Sequence, residues 1–310
     1  MSEKVYFEIA GASRYKRINC VIYYPDETPK AIVNIVHSVY EHSEVYSELM
    51  KFLADNGYAA VCHDMSGHGR TAKEYFELGF FADNFGYNQI LEDTQKVLSS
   101  AREKISVKYD CDRIPAFIYG HSTGSSAARV IVNQFSDEYN GIIISSPAGK
   151  DKFGKLKLWF SSQLIQLKGE RGHSKVLKYI TERRLKGDMA YDWFSSDKDE
   201  VRAFSQDRMR TFNLSVSASF DLLYLNEQAT KKEWYSSIEN AFPVLILTGS
   251  EDRFSSFGKS AEETREKLLK SGNMNCELII YEGARNQVLR DISKPKVFAD
   301  VVWFLNRFCQ

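Results

Sequence analysis

Histidine stops early in this chain. Of its six histidines the last is His173, so nothing in the rest of the 310-residue sequence can supply an imidazole. Cysteine is scarce too. The five residues, Cys20, Cys62, Cys111, Cys276 and Cys309, are scattered, odd in number and form no CxxC pair. That spacing argues against a disulfide framework and favours a reducing, cytoplasmic setting. Net charge is absent, with 41 basic against 41 acidic residues and no basic run, so no nucleic-acid partner is expected. Apolar runs such as "PVLIL" and "GIII" are strand-sized and far short of a membrane span. The opening "MSEKVYFEIAG" lacks a basic start followed by an apolar stretch, so no signal peptide is expected. His63 and His68 in "HDMSGHG" invite a metal, but they lie in a turn without a recognisable ligand cluster. Neither a metal nor a cofactor is expected.

What is present is a regular alternation. Short β-branched runs at 31–38, 59–64, 115–120, 141–147, 243–250 and 276–283 read as strands. Segments at 46–58, 87–105, 125–135, 261–272 and 295–308 have helical spacing. "KVYFEIA" and "CVIYYP" open the chain as a further pair of strands. Strands alternating with helices predict an α/β fold with a mostly parallel sheet covered on both faces. Residues 149–236 break the pattern: they hold helix-like segments and no convincing strand. They read as a helical cap over the C-terminal edge of the sheet, inserted into a core made of 1–148 and 237–310. In the first cap helix, Leu156, Trp159, Phe160, Leu164 and Leu167 share a face, read first as packing onto the core. An acyl channel or a membrane-contacting face is the sharper reading of the same stripe.

The strongest chemical signal is "YGHSTGS", residues 119–125. An apolar strand runs straight into it and a helix runs straight out. Gly120 and Gly124 flank Ser122 at the spacing that a sharp strand-to-helix turn needs, where a larger side chain would clash. Such a turn projects the serine hydroxyl beside a helix N-terminus. An acid is expected next in chain order, and "LTGSEDRF" places Asp252 in the loop after a later strand. A histidine is expected after one more strand. That strand is "CELIIYEG", and the residue that should be the base is Asn286.

Several stretches carry a family resemblance: "VHSVYEHSEVY", "DMSGHGRT", "GHSTGS", "YDWFSSDKDEV", "LTGSEDRFSSFGKS" and "YEGARNQVLRD". In this order they resemble the α/β-hydrolase-fold lysophospholipase and monoacylglycerol lipase group, cap included. The resemblance implies an α/β-hydrolase fold and cofactor-free hydrolysis of a small acyl ester or lipid-like ligand, and it allows peripheral membrane contact through the cap. It makes Ser122 the nucleophile position, Asp252 the acid position and the backbone N–H groups of Val39 and Thr123 the oxyanion hole. The chain departs from that family at active-site loops. Ser38 stands for glycine, Ser66 for arginine, Arg253 for proline, and Asn286-Gln287 for His-Glu. The serine at 38 is expected to strain or reshape the oxyanion loop.

An asparagine amide has two donors and one acceptor and takes up no proton near neutral pH. Losing a triad member costs about 10⁴–10⁶ in turnover. The expected function is therefore a serine-hydrolase-type protein with weak or absent ester turnover. The alternative is a non-catalytic ligand-binding or interaction protein on the same fold. His121 precedes the nucleophile and should point away from it. His37 and His42 are read as loop packing, and His173 as a solvated cap residue.

Overall fold

The computed structural model describes residues 2–12, 17–182, 185 and 190–309. Its sheet contains β1 (Glu3–Ala10), β2 (Arg17–Tyr24), β3 (Ile32–Val36), β4 (Ala59–His63), β5 (Ala116–His121), β6 (Gly141–Ser145), β7 (Val244–Gly249) and β8 (Cys276–Tyr281). Their order across the sheet is β1-β2-β4-β3-β5-β6-β7-β8. β1 and β2 pair antiparallel, as do β2 and β4; every other neighbour is parallel. Parallel strands are buried on both faces, which is why they read as continuous apolar runs.

In β5, Ala116 and Ile118 enter one core while Phe117 and Tyr119 enter the other, following the period-two alternation of a strand. One core lies under α1 (Ser47–Asp55) and α10 (Lys294–Phe308), and the other under α2 (Gly86–Tyr109), α3 (Thr123–Gln134) and α9 (Lys259–Lys270). No helix among the described residues is long and apolar enough to cross a membrane.

Between β6 and β7 stand α4 (Gly154–Lys168), α5 (Lys175–Glu182), α6 (Lys198–Gln206), α7 (Val216–Ala229) and α8 (Lys232–Ser237). α5 is described through Glu182; residues 183–184 lie outside the described set. α7 packs on α2, α3, α4 and α5, so it ties this segment to the helical layer of the sheet.

The core-packing reading of the α4 stripe is overturned at three of its five residues, while Phe160 and Leu164 are half-buried. Leu156 is 60 % exposed, Trp159 60 % and Leu167 79 %. Gly154 and Ser161 are buried instead, with Leu158 and Ile165 half-buried on the same side. Residues at these spacings share one helix face. Small side chains at Gly154 and Ser161 let α4 approach α7 closely, and Leu156, Trp159 and Leu167 are turned outward.

Candidate active site

β5 ends at His121 and α3 begins at Thr123, leaving Ser122 as the single residue of the turn. Its φ of 52° and ψ of −116° place a non-glycine residue in a strained conformation, the one expected from sequence for a sharp strand-to-helix turn. The Ser122 N–H donates to Ser145 O at 2.8 Å and anchors the turn to β6. The flanking glycines are sterically required. A Cβ on Gly124 would lie 2.4 Å from the carbonyl oxygens of both Val36 and His37, and one on Gly120 would lie 2.6 Å from Ala128 Cβ and Gly124 O.

Asn286 and Asp252 meet, and both are buried. The Asn286 Nδ2 group donates to Asp252 Oδ1 at 3.2 Å and to Ser146 Oγ at 2.6 Å. Ser146 Oγ–H in turn donates to Asp252 Oδ2, and Thr248 Oγ1 donates to the same oxygen at 3.2 Å. An ionised carboxylate only accepts, so Nδ2 must face Asp252 and Oδ1 must face away. That oxygen lies 3.2 Å from His121 Nε2. The imidazole therefore carries its proton on Nε2, and Nδ1 accepts from Ser145 Oγ at 3.1 Å. Burial pushes the His121 pKa down, with Glu41 and Asp252 pulling the other way.

The network is closed: Ser145 to His121, His121 to Asn286, Asn286 to Ser146 and Asp252. Among the described residues no member of it hydrogen-bonds Ser122 Oγ. His121 thus points into the Asn286 network and away from the serine. Ser146 was missed by sequence reasoning. A small polar residue just past a strand's C-terminal end, at the ligand-binding edge of such sheets, was the signal that could have found it.

Val39 and Thr123 come together, but differently from a free pair of donors. The Val39 N–H donates to Thr123 Oγ1 at 2.9 Å, and Ser38 Oγ lies 3.3 Å from the same oxygen. Ser38 is not among the residues with positive φ, so the expected backbone strain is absent. A side chain is accommodated there without glycine's freedom. The Ser38 N–H donates to Glu41 Oε2 at 3.0 Å. Glu41 also accepts from Tyr46 and from Gln287, each at 2.6 Å, and lies 4.0 Å from Arg210 Nη2 and from His121 Nε2. Burial would raise the pKa of Glu41; the nearby His121 and Arg210 and the two hydrogen bonds outweigh it and hold the carboxyl at about 2.

The other histidines serve packing. His37 Nε2 accepts from the Met65 N–H at 3.1 Å, leaving Nδ1 to donate to Ser38 O. His42 lies 2.8 Å from Asp207, and the exposed His173 donates to Leu214 O. Burial, reinforced by the neighbouring His37, lowers His63 and His68 to about 3, so both are neutral at ordinary pH. No metal-holding cluster occurs among the described residues. A cavity of about 140 Å³ is lined by Val39 and Thr123 together with Leu214, Leu222, Leu223 and Phe254. Ser122, Asp252 and Asn286 are not part of its lining.

Residues 27–293 match the family described as serine aminopeptidase, S33. The chain belongs to that family. Its similarity to a monoglyceride lipase homolog of Monkeypox virus is 25 % identity, covering 94 % of this chain and 95 % of the relative. With the monoglyceride lipase of Mus musculus it is 23 % identical, over 93 % of this chain and 84 % of that one. Among solved structures, a thermostable carboxyl esterase from Bacillus coagulans in complex with glycerol superposes with a TM-score of 0.89 at 22 % identity, covering 99 % of both chains. A soluble variant of the Saccharomyces cerevisiae monoglyceride lipase, bound to a substrate analog, gives 0.71 at 20 % identity, over 98 % of this chain and 94 % of that one. The architecture is that of the α/β-hydrolase fold.

Proposed function

We propose that this chain is a monoacylglycerol-lipase-type protein whose ester-cleaving centre is silent or nearly so, and that it keeps a pocket for a single-chain acyl ligand. In this reading Ser122 and Asp252 hold the nucleophile and acid positions, and Asn286 holds the seat of the base. The observation that carries the reading is the commitment of the Asn286 amide. Both its donors go to Asp252 and Ser146, its oxygen faces His121, and none is left for Ser122. An amide in that seat accepts no proton, and an unassisted serine is a poor nucleophile. His121 is no substitute, because its Nε2 proton is directed at Asn286 and its Nδ1 at Ser145.

The cap is assigned to 149–236, with its cavity-facing leucines as the acyl-chain wall. The exposed Leu156, Trp159 and Leu167 of α4 support peripheral contact with a lipid surface. Five unpaired thiols suit a cytoplasmic setting.

Ligand retention is tested with a glycerol 1-O-alkyl ether, which has the shape of a monoacylglycerol but no ester to cleave. The native chain is expected to bind it, and Leu222→Trp, which fills the cavity, to bind at least about tenfold more weakly. No binding by the native chain, or equal binding by the two, contradicts the acyl-pocket assignment.

A further inference from the structure

We propose that the Thr123 side chain plugs the oxyanion pocket, giving the centre a second and independent block beside the missing base. The inference rests on the reading of Ser122 as the nucleophile position. Oxyanion donors act on an oxygen 2.7–3.1 Å away. At the Val39 N–H that place is already filled: Thr123 Oγ1 sits 2.9 Å from the nitrogen. The hydroxyl has one proton of its own, and Ser38 Oγ, 3.3 Å away, is a partner for it. A glycine at 38 has no such oxygen. Two residues that sequence reasoning treats separately, a serine in the loop after β3 and a threonine in the first turn of α3, therefore converge on one hydroxyl.

Val39 and Thr123 both line the cavity, so the plugged donor belongs to a residue on the wall of the proposed ligand space. The Thr123 N–H, by contrast, donates to no group among the described residues. One of the two donors is taken and the other is free. A substrate carbonyl would have to turn the threonine out of its rotamer and replace the hydrogen bond that Val39 loses. Restoring the base alone then leaves an enzyme with half its electrostatic stabilisation masked. Thr123 acts here as a positioning residue, through the Val39 N–H.

The test uses labelling of Ser122 by a fluorophosphonate in the full-length protein, comparing Asn286→His with Asn286→His/Thr123→Val and Asn286→His/Thr123→Ser. Valine keeps the shape and removes the acceptor; serine keeps the acceptor. The valine double variant is expected to label about tenfold faster or more than Asn286→His, since losing one oxyanion donor costs about 10²–10³ and a neutral hydrogen bond is a weaker obstacle than deletion. The serine double variant is expected to stay within about twofold of Asn286→His. Equal rates for valine and Asn286→His, including no labelling of either, overturn the plug, as does an equal gain in the serine variant. A second readout needs no chemistry. In the otherwise native chain, Thr123→Val should speed hydrogen exchange at the Val39 amide at least about tenfold and Thr123→Ser should not. An unchanged Val39 amide in a folded Thr123→Val also overturns the proposal. Failure of the silent-centre reading shows elsewhere, as ester turnover by the native chain that Ser122→Ala abolishes.

Discussion

The turn at 120–124 and the loop at 283–287 meet where His121 touches Asn286, yet they are built to different tolerances. The turn is packed closely against its neighbours, and at Gly124 those neighbours are backbone. Gly124 sits under two carbonyl oxygens, and Ser122 is held at positive φ between β5 and α3. The loop's path is also tied down by backbone, with the Asn286 and Gln287 N–H groups donating to Trp193 O and Phe194 O, but its polar chemistry is set by side chains. Asn286 is fixed by Ser146, Asp252 and His121, and Gln287 by Glu41. Backbone packing leaves few residues that fit, whereas a side-chain network can be rewired while the chain path stays. On the reading proposed above, that difference lets the loop exchange a base for an amide while the turn keeps its shape.

The comparison breaks first at Gly124. Gly124→Ala puts a Cβ 2.4 Å from backbone that cannot step aside, and about 3 kcal/mol of stability should be lost in urea unfolding. Near-native stability would show the turn to be as adaptable as the loop.

Glu41 joins the two regions, reaching Gln287 and lying near His121. Its folded pKa is depressed from 4.5 to about 2, so its contribution is present above pH 4.5 and is lost as pH falls through about 2. The change over that window is about 3 kcal/mol. Glu41→Gln should remove that slope from a plot of unfolding free energy against pH, and an unaltered slope would assign it to other carboxylates.

A smaller loss is expected from Ser146→Ala. It leaves Asn286 Nδ2 and Asp252 Oδ2 each one partner short, at a cost of about 2 kcal/mol in the same assay. No loss would mean that the side-chain network does not hold the loop. The smallest effect belongs to Gly283→Ala. Its φ is +70°, but its Cβ would meet only Ile292 Cδ1 at 3.7 Å, so the cost is backbone strain alone, about 1 kcal/mol. A loss as large as that at Gly124 would erase the contrast.

The sheet was legible because buried parallel strands read as short continuous apolar runs, as in β5, set between segments of 3.6-residue spacing, as in α2. That Ser122, Asp252 and Asn286 each follow a strand was legible from the apolar runs that precede them in chain order. The face of α4 was misread at Leu156, Trp159 and Leu167, since helical spacing defines a stripe without saying which side meets the core; there the small residues Gly154 and Ser161 won. Ser146 and the Val39–Thr123 contact were out of reach for another reason. They depend on where side chains from separate elements converge, and no local pattern encodes that.

The central claim is that a centre with Asn286 in place of a base does not cleave esters through Ser122. Its most direct test is p-nitrophenyl ester hydrolysis by the native chain beside Ser122→Ala, both confirmed folded. The account predicts that the two rates coincide or differ only slightly, far below a triad enzyme by about 10⁴ or more. Turnover in the native chain that approaches that of a triad enzyme and disappears in Ser122→Ala would contradict it.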